Sequence, residues 1–141
     1  MTLYAESSAV LAWLRDEQRG PTVRQALAGA DRVITSDLTL IECDRALLRL
    51  AALGVMTGDE LADRQLRLIA AARPWSMMSI APPIVDRARR PFPDDAIRSL
   101  DAIHLASALV ARAEIGDLAL LTLDDRIRTA GQRLGFRIVP D

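Results

Sequence analysis

Four acidic residues have the type and position needed for hydrolytic chemistry on a metal ion: Glu6, Glu42, Asp101 and Asp124. Each stands at the edge of an apolar segment rather than within an exposed polar run. Carboxylates brought together at such places repel one another and lose hydration, and a shared divalent cation offsets both costs. The four residues therefore predict a hydrolytic site built around a hard metal ion.

Two of these residues also have ordinary structural explanations. Glu42 shares a polar helical arc with Arg45 and Arg49, so an ion pair on a solvated helix face would account for it. Asp124 precedes a helical segment, and aspartate is a common residue at a helix N-cap. From the residues alone, the structural and the functional explanations of Glu42 and Asp124 both stay open.

Glu6 and Asp101 are harder to explain as structural residues. Glutamate is favoured neither in a strand nor at an N-cap, yet Glu6 closes a strand-like segment. Asp101 begins the helical segment 101–112, which is apolar nearly all round and should be buried. A carboxylate in that first turn gains from the helix dipole but still needs a partner, so Asp101 is the strongest single candidate.

Three further polar residues lie close to these carboxylates in sequence. Ser8 and Thr122 either cap and turn the chain or hydrogen-bond the carboxylates from behind. His104 is the only histidine of the chain. Because it lies in an apolar helical segment, we predict a packing residue with satisfied hydrogen bonds rather than a general base.

The composition is that of a globular protein with one domain over residues 1–141. Half of these residues are hydrophobic, 26% are charged, and the formal net charge is −1. The sequence contains no run of about 20 apolar residues, so no membrane span is predicted. The N-terminus lacks the features of a secretory signal. The single cysteine, Cys43, fits a reducing compartment, so we expect a cytoplasmic protein.

All eighteen basic residues are arginine. The lack of lysine excludes a P-loop and a Schiff-base enzyme, and also the usual lysine-dependent aspartyl-phosphate chemistry. The near-neutral charge argues against a broad basic surface for nucleic acid, so any such contact would come from a local cluster. The densest cluster is Arg87, Arg89 and Arg90, which would otherwise be a solvated helix end.

Strand-like and helix-like segments alternate along the chain. Strands are predicted at residues 3–6, 32–35, 75–80, 119–123 and 137–139. Helices are predicted at residues 8–17 (capped by Ser7), 21–28, 37–53, 59–73, 82–90, 94–98, 100–114 and 125–134. The alternation predicts an α/β fold, with a mostly parallel central sheet covered by helices on both faces. Sites in such sheets form beyond the carboxyl ends of the strands, where Glu6 and Asp124 are both expected.

Four segments of the chain resemble, in order, the acidic motifs of PIN domains. They are residues 4–10 (YAESSAV), 36–42 (SDLTLIE) followed by 45–47 (RAL), 100–108 (LDAIHLASA) and 121–124 (LTLD). Their order and spacing agree over essentially the whole chain, and the length is similar to that of the VapC toxins of bacterial toxin–antitoxin pairs. The resemblance implies a single three-layer PIN-like domain.

The resemblance also implies an endoribonuclease that depends on Mg²⁺ or Mn²⁺ and cuts selected structured RNA, either tRNA or rRNA. Asp101 and Glu6 would be the main metal ligands, and Asp124 and Glu42 would be further ligands or orient waters. The resemblance further implies a homodimer and a cognate VapB-like antitoxin. Such an antitoxin can place a basic side chain in the acidic pocket. The helical segments 21–28 and 59–73 are candidate surfaces for that antitoxin, although both could equally face the core.

One residue departs from the family pattern, in which the first acidic position is usually aspartate. Here it is Glu6, whose longer side chain moves the carboxylate by about one methylene. This departure leaves open a catalytically weakened PIN-like module that binds RNA or protein. Independently of Glu6, a housekeeping nuclease that processes RNA is a further alternative.

Overall fold

A five-stranded parallel sheet forms the middle layer of the structure, a computed structural model that describes residues 1–94 and 96–141. Its strands are β1 (Thr2–Ala5), β2 (Arg32–Ser36), β3 (Ser76–Met78), β4 (Ala119–Leu121) and β5 (Arg137–Val139). They lie in the order β3–β2–β1–β4–β5, and every neighbouring pair is parallel. The first strand of the chain is therefore the central one, with Leu3 opposite Val33 on one side and Ala119 on the other.

Seven helices connect these strands within the described part of the chain. They are α1 (Ser7–Leu14), α2 (Gly20–Gly29), α3 (Asp37–Ala52), α4 (Gly58–Ala72), α5 (Pro82–Ala88), α6 (Ser99–Ile115) and α7 (Asp125–Arg133). None of the helices in the described ranges combines the length and the apolar character that a bilayer crossing requires.

The alternation of side chains along β1 divides the core into two layers, one on each face of the sheet. Leu3 and Ala5 point to a cluster that contains residues of α1, α2, α3 and α4. Tyr4 points to the opposite cluster, which contains residues of α6 and α7. Successive strand residues face opposite sides of a sheet, so the part of a strand that is buried on both faces is mainly apolar, as β1 is from Leu3 to Ala5. The predicted three-layer α/β architecture is confirmed.

Most element boundaries agree with the sequence to within a few residues, because the local start and stop signals are strong. Gly54 and Gly135 follow α3 and α7 with φ values of +73° and +81°, the left-handed conformation in which glycine ends a helix without strain. Ser36 accepts a hydrogen bond from the Leu38 backbone N–H and caps α3.

Several boundary predictions were wrong or lie partly outside the described residues; among them, β3 covers only Ser76–Met78 instead of residues 75–80. The N-cap of α1 is Glu6 rather than Ser7, and α1 ends at Leu14 instead of continuing to residue 17. Strand β4 ends at Leu121, two residues earlier than the apolar run suggested. The helix predicted at residues 94–98 includes residue 95, which lies outside the described residues, and residues 94 and 96–98 are not helical.

Candidate active site

The four candidate carboxylates lie at the carboxyl end of the central strands. Glu6 directly follows β1, and Asp124 stands three residues after the end of β4. Glu42 lies in the second turn of α3, and Asp101 lies in the first turn of α6. Because parallel strands end at the same edge of a sheet, residues distant in sequence come together there.

Glu6 is almost completely buried, with 3% of its surface exposed, and both of its carboxylate oxygens are hydrogen-bonded twice. Oε1 accepts from Ser7 Oγ at 2.7 Å and from the Ser8 backbone N–H at 3.0 Å. Oε2 accepts from Thr122 Oγ1 at 2.8 Å and from the Ser8 hydroxyl. An ionised carboxylate offers about four lone-pair positions, so protein donors fill them all. A metal ion could bind Glu6 directly only by displacing one of these donors.

The same bonds explain why a glutamate occurs at the start of α1. Its backbone is extended, with φ −92° and ψ 154°, and its side chain curls back to the Ser8 N–H in the first turn. It therefore acts as the N-cap, a position where the helix dipole also favours negative charge. The sequence pointed to a turn with Ser8 and Thr122 behind the carboxylates, and both hydroxyls are bonded to Glu6.

Glu42 is held by His104 rather than by a helical arginine. The Nε2 atom of His104 lies 2.5 Å from Glu42 Oε1, and Ser7 Oγ lies 3.0 Å from the same oxygen. On the other side of the ring, Nδ1 lies 3.1 Å from the Tyr4 hydroxyl. A carboxylate only accepts, so in a neutral imidazole the proton is on Nε2 and the Tyr4 O–H donates to Nδ1.

Burial supports this arrangement of protons. Tyr4 and His104 are both buried, and desolvation raises the pKa of the Tyr4 phenol above its ordinary value, which keeps the hydroxyl available as a donor. Glu42 itself keeps 27% of its side chain exposed. The packing role predicted for His104 is present, but its link to Glu42 was missed. The sequence did contain a signal for this link: His104 lies three residues after Asp101 on the same helix face, which places it near the other acidic residues.

Asp124 and Asp101 form the other half of the site. Asp124 uses Oδ1 to cap α7, accepting from the backbone N–H groups of Arg126 at 2.9 Å and Ile127 at 3.0 Å. The Asp101 side chain is 13% exposed, and its Oδ2 lies 3.7 Å from Arg126 Nε. Arg126 thus contacts both aspartates, one through its backbone and one through its guanidinium group.

Short links connect all four carboxylates. The Thr122 hydroxyl donates to Glu6 and accepts from the Asp124 backbone N–H at 3.1 Å. The single Ser7 hydroxyl proton is shared between Glu6 and Glu42, with the shorter distance to Glu6. The structure therefore brings Glu6 close to Glu42 and to Asp124, with Asp101 reached through Arg126.

The donor chemistry at this edge fits a hard divalent cation. Glu42, Asp101 and Asp124 offer partly exposed carboxylate oxygens, and Mg²⁺ binds through one or two carboxylates while keeping several waters. Within residues 1–94 and 96–141, however, no group of three or more His, Cys, Asp or Glu side chains is placed to enclose a metal ion. The arrangement suits an ion held by a few carboxylates and completed by water or substrate oxygens.

The arginine cluster at the end of α5 is only partly free. Arg87 lies over the Phe92 ring at 4.3 Å and donates to the Pro91 carbonyl at 3.2 Å. Burial, and to a lesser extent Arg90, lowers its pKa. Arg89 and Arg90 are exposed.

The sequence of this chain matches both a protein-family model and a protein of known type over most of its length. A family model described as PIN domain matches residues 3–132. Ribonuclease VapC35 of Mycobacterium tuberculosis is 30% identical over 139 residues, which cover 97% of this chain and 95% of that protein. The alignment therefore extends over nearly the full length of both proteins.

Solved structures with the same fold have much lower identity. Mycobacterium tuberculosis VapC20, described as a toxin that cleaves the sarcin–ricin loop, has a TM-score of 0.65 at 16% identity, covering 92% of this chain and 95% of that one. VapBC2 from Rickettsia felis, solved with a DNA fragment from its promoter, has a TM-score of 0.63 at 9% identity, covering 98% and 97%. At these identities the likeness is one of fold.

Proposed function

This chain belongs to the PIN-domain family, and we propose that it is a VapC-type toxin, an endoribonuclease that hydrolyses phosphodiester bonds of selected structured RNA. The observation that carries the proposal is the linked set of four carboxylates at the carboxyl end of β1 and β4. It stands in a chain that aligns over nearly its full length with a VapC ribonuclease. The substrate would be tRNA or rRNA.

PIN-domain VapC nucleases depend in general on a divalent metal. We propose Mg²⁺ or Mn²⁺ for this chain, held through one or two of the carboxylates Asp101, Asp124 and Glu42 and completed by waters or substrate oxygens. Glu6 would become a ligand only if one of its hydroxyl donors is displaced. When bound, such an ion supplies an activated water and offsets negative charge at the phosphate. Millimolar metal is expected to raise the melting temperature of the protein, and less so in Asp101→Asn. An unchanged melting temperature would contradict a formed metal site.

The residues around the carboxylates have positioning roles in this proposal. The hydroxyls of Ser8 and Thr122 fix the orientation of Glu6, and His104 fixes that of Glu42. Arg126 reduces repulsion between Asp101 and Asp124. Each carboxylate therefore keeps its geometry before RNA arrives, so less reorganisation accompanies the reaction.

We also propose that the protein acts in the cytoplasm as a homodimer and is neutralised by a cognate VapB-like antitoxin. An antitoxin arginine or lysine that enters the acidic edge would replace the cation electrostatically. Copurification of the toxin with the product of an adjacent gene, and its mass in solution, test these two points.

The direct test is cleavage of a tRNA and rRNA mixture by purified protein in Mg²⁺ or Mn²⁺. The controls are EDTA and Asp101→Asn prepared in the same way, because contaminating ribonuclease would be equal in both preparations. We expect metal-dependent cuts at discrete sites that the variant does not make. Equal activity in wild type and variant would rule out this active site.

The saturated hydrogen bonds of Glu6 favour one alternative, a weakened PIN-fold module that binds RNA or protein without efficient turnover. Glu6→Asp separates the two functions, because the shorter side chain restores the usual family residue. A large gain in cleavage rate would identify a weakened site in the natural sequence. A loss of rate would show that glutamate is the working residue here.

A further inference from the structure

The face of α3 that carries Glu42 is open to solvent over a volume of about 760 Å³, and we call this surface, which α3 alone lines, the α3 groove. Its lining contains one site carboxylate and two arginines among small and apolar residues: Glu42, Arg45, Ala46, Leu48, Arg49 and Ala52. Residues three and seven positions after Glu42 share its helix face, so both arginines project along the same side. At a rise of about 1.5 Å per residue, Arg45 and Arg49 follow each other about 6 Å apart along the axis.

These arginines lack the partner that their spacing predicts. An i, i+3 ion pair between Glu42 and Arg45 is the ordinary expectation for a solvated helix face. Glu42 instead turns to His104 and Ser7. Arg45 and Arg49 are exposed, and within residues 1–94 and 96–141 neither forms a salt bridge or donates a side-chain hydrogen bond.

Several other arginines have partners, but Arg24, Arg73 and others are exposed without one in the described residues, so what sets Arg45 and Arg49 apart is their position on the Glu42 face of α3. Arg64 contacts Asp16 at 2.8 Å, Arg112 lies over the Phe136 ring at 4.0 Å, and Arg126 contacts Asp101. The guanidinium groups of Arg45 and Arg49 therefore have N–H donors available for a ligand, and they lie beside the acidic residues of the candidate site. Guanidinium groups bind phosphate oxygens through two parallel hydrogen bonds, which suits a phosphodiester backbone better than a point charge would.

We propose that the α3 groove holds the RNA backbone beside the cleavage site, with Arg45 and Arg49 binding phosphates that flank the scissile one. This inference rests on the proposed ribonuclease function. RNA that approaches four carboxylates meets repulsion, and two cations within two helical turns of Glu42 offset part of it. The groove is continuous with the site through Glu42, so one strand can reach both.

The test measures binding separately from cleavage. Full-length Asp101→Asn protein, which leaves RNA uncut, is titrated with labelled total tRNA in EDTA at several salt concentrations. The double variant Arg45→Gln/Arg49→Gln is compared with Arg24→Gln/Arg73→Gln. The control pair is also exposed, lies on α2 and at the end of α4, and removes the same net charge.

Losing two phosphate contacts should reduce the slope of log K against log salt by about 1.4 for single-stranded RNA and about 1.8 for a duplex. The control pair should leave the slope unchanged. With Asp101 restored, the groove variant should lose about 100-fold in kcat/KM, mainly through KM, because phosphate binding is common to ground and transition states.

Three results would overturn the proposal. If wild type cuts RNA and the groove variant keeps its salt slope and KM, the function stands and the groove assignment fails. If the groove variant changes the mass of the dimer but not the slope, a second copy of this chain covers the groove. If wild type neither binds nor cuts RNA, the proposed function fails and the groove assignment fails with it.

Discussion

Neutralising Glu6 without changing its shape tests whether this carboxylate organises the fold of the site. Glu6→Gln keeps the length of the side chain and allows the amide oxygen to stay on the Ser8 backbone N–H at the Oε1 position. The amide nitrogen then faces the hydroxyls of Ser8 and Thr122, which can rotate and accept. These hydroxyls already accept from the Leu123 and Asp124 backbone N–H groups and lose Oε2 as the acceptor of their own protons, so the change removes the charge together with that acceptor.

The magnitude follows from the four bonds. A hydrogen bond to a charged group contributes roughly 1.5–3 kcal/mol and a neutral one roughly 0.5–1.5 kcal/mol, so each bond loses about 1 kcal/mol. Removing a buried charge that lies near Glu42 recovers about half of that total. We expect a net loss of about 2 kcal/mol in the free energy of unfolding, or about 6 °C in melting temperature for a protein of this size.

The assay is urea unfolding in EDTA at neutral pH, with Glu17→Gln as the matched control. Glu17 has 46% of its side chain exposed and forms an ion pair with Arg15, so its substitution should change stability by less than about 0.5 kcal/mol. A stability of Glu6→Gln equal to that of the control would refute the charge-assisted network. A gain of stability would mean that repulsion and desolvation outweigh the four bonds.

Three further predictions concern the helices and the core. Asp124→Ala should lose about 1 kcal/mol because the cap of α7 is removed, whereas Asp124→Asn should keep the cap and, in the cleavage assay, still lose activity. In urea unfolding, Gly131→Ala should destabilise by about 1 kcal/mol, since its new methyl would lie 2.7 Å from Leu120 Cδ2, while Gly58→Ala, in open space, should be neutral or stabilising. Burial raises the pKa of the Cys43 thiol from its ordinary value of 9.0, so above that pH the unfolded state binds fewer protons than the native state and stability falls. The Cys43 share of the loss should approach about 1.4 kcal/mol per pH unit and be absent from Cys43→Ala, which urea titrations below pH 10 would reveal, before Tyr4 adds its own loss.

The sequence predicts the fold well because its local signals agree with its global pattern. Short apolar strands such as residues 119–121 could only be buried on both faces, which requires helices on both sides. Glycines at 54 and 135 ended helices where the apolar pattern also stopped. The exception is Glu6, whose capping role contradicts the usual preference at N-caps and depends on Thr122 and Ser8, one of them far away in sequence.

The four acidic residues that the sequence singles out lie at one edge of the sheet in the structure, but their contacts could not be predicted from the sequence. The acidic residues were identifiable because carboxylates at the edges of apolar elements need a reason to be there. Helical spacing pointed to Arg45 as the partner of Glu42, and the structure gives that role to His104. This choice depends on the approach of α6 to α3, a tertiary distance that no local pattern records.

The order of strands in the sheet has a consequence for synthesis on the ribosome. Strand β1 emerges first, but its neighbour β4 and the hydroxyl of Thr122 are translated more than a hundred residues later. Until then one edge of β1 has no strand to pair with, and Glu6 lacks one of the donors that orient it. A nascent chain therefore carries Glu6 and Glu42 long before it carries Asp101 and Asp124, so the acidic site can assemble only after residue 124 has been translated.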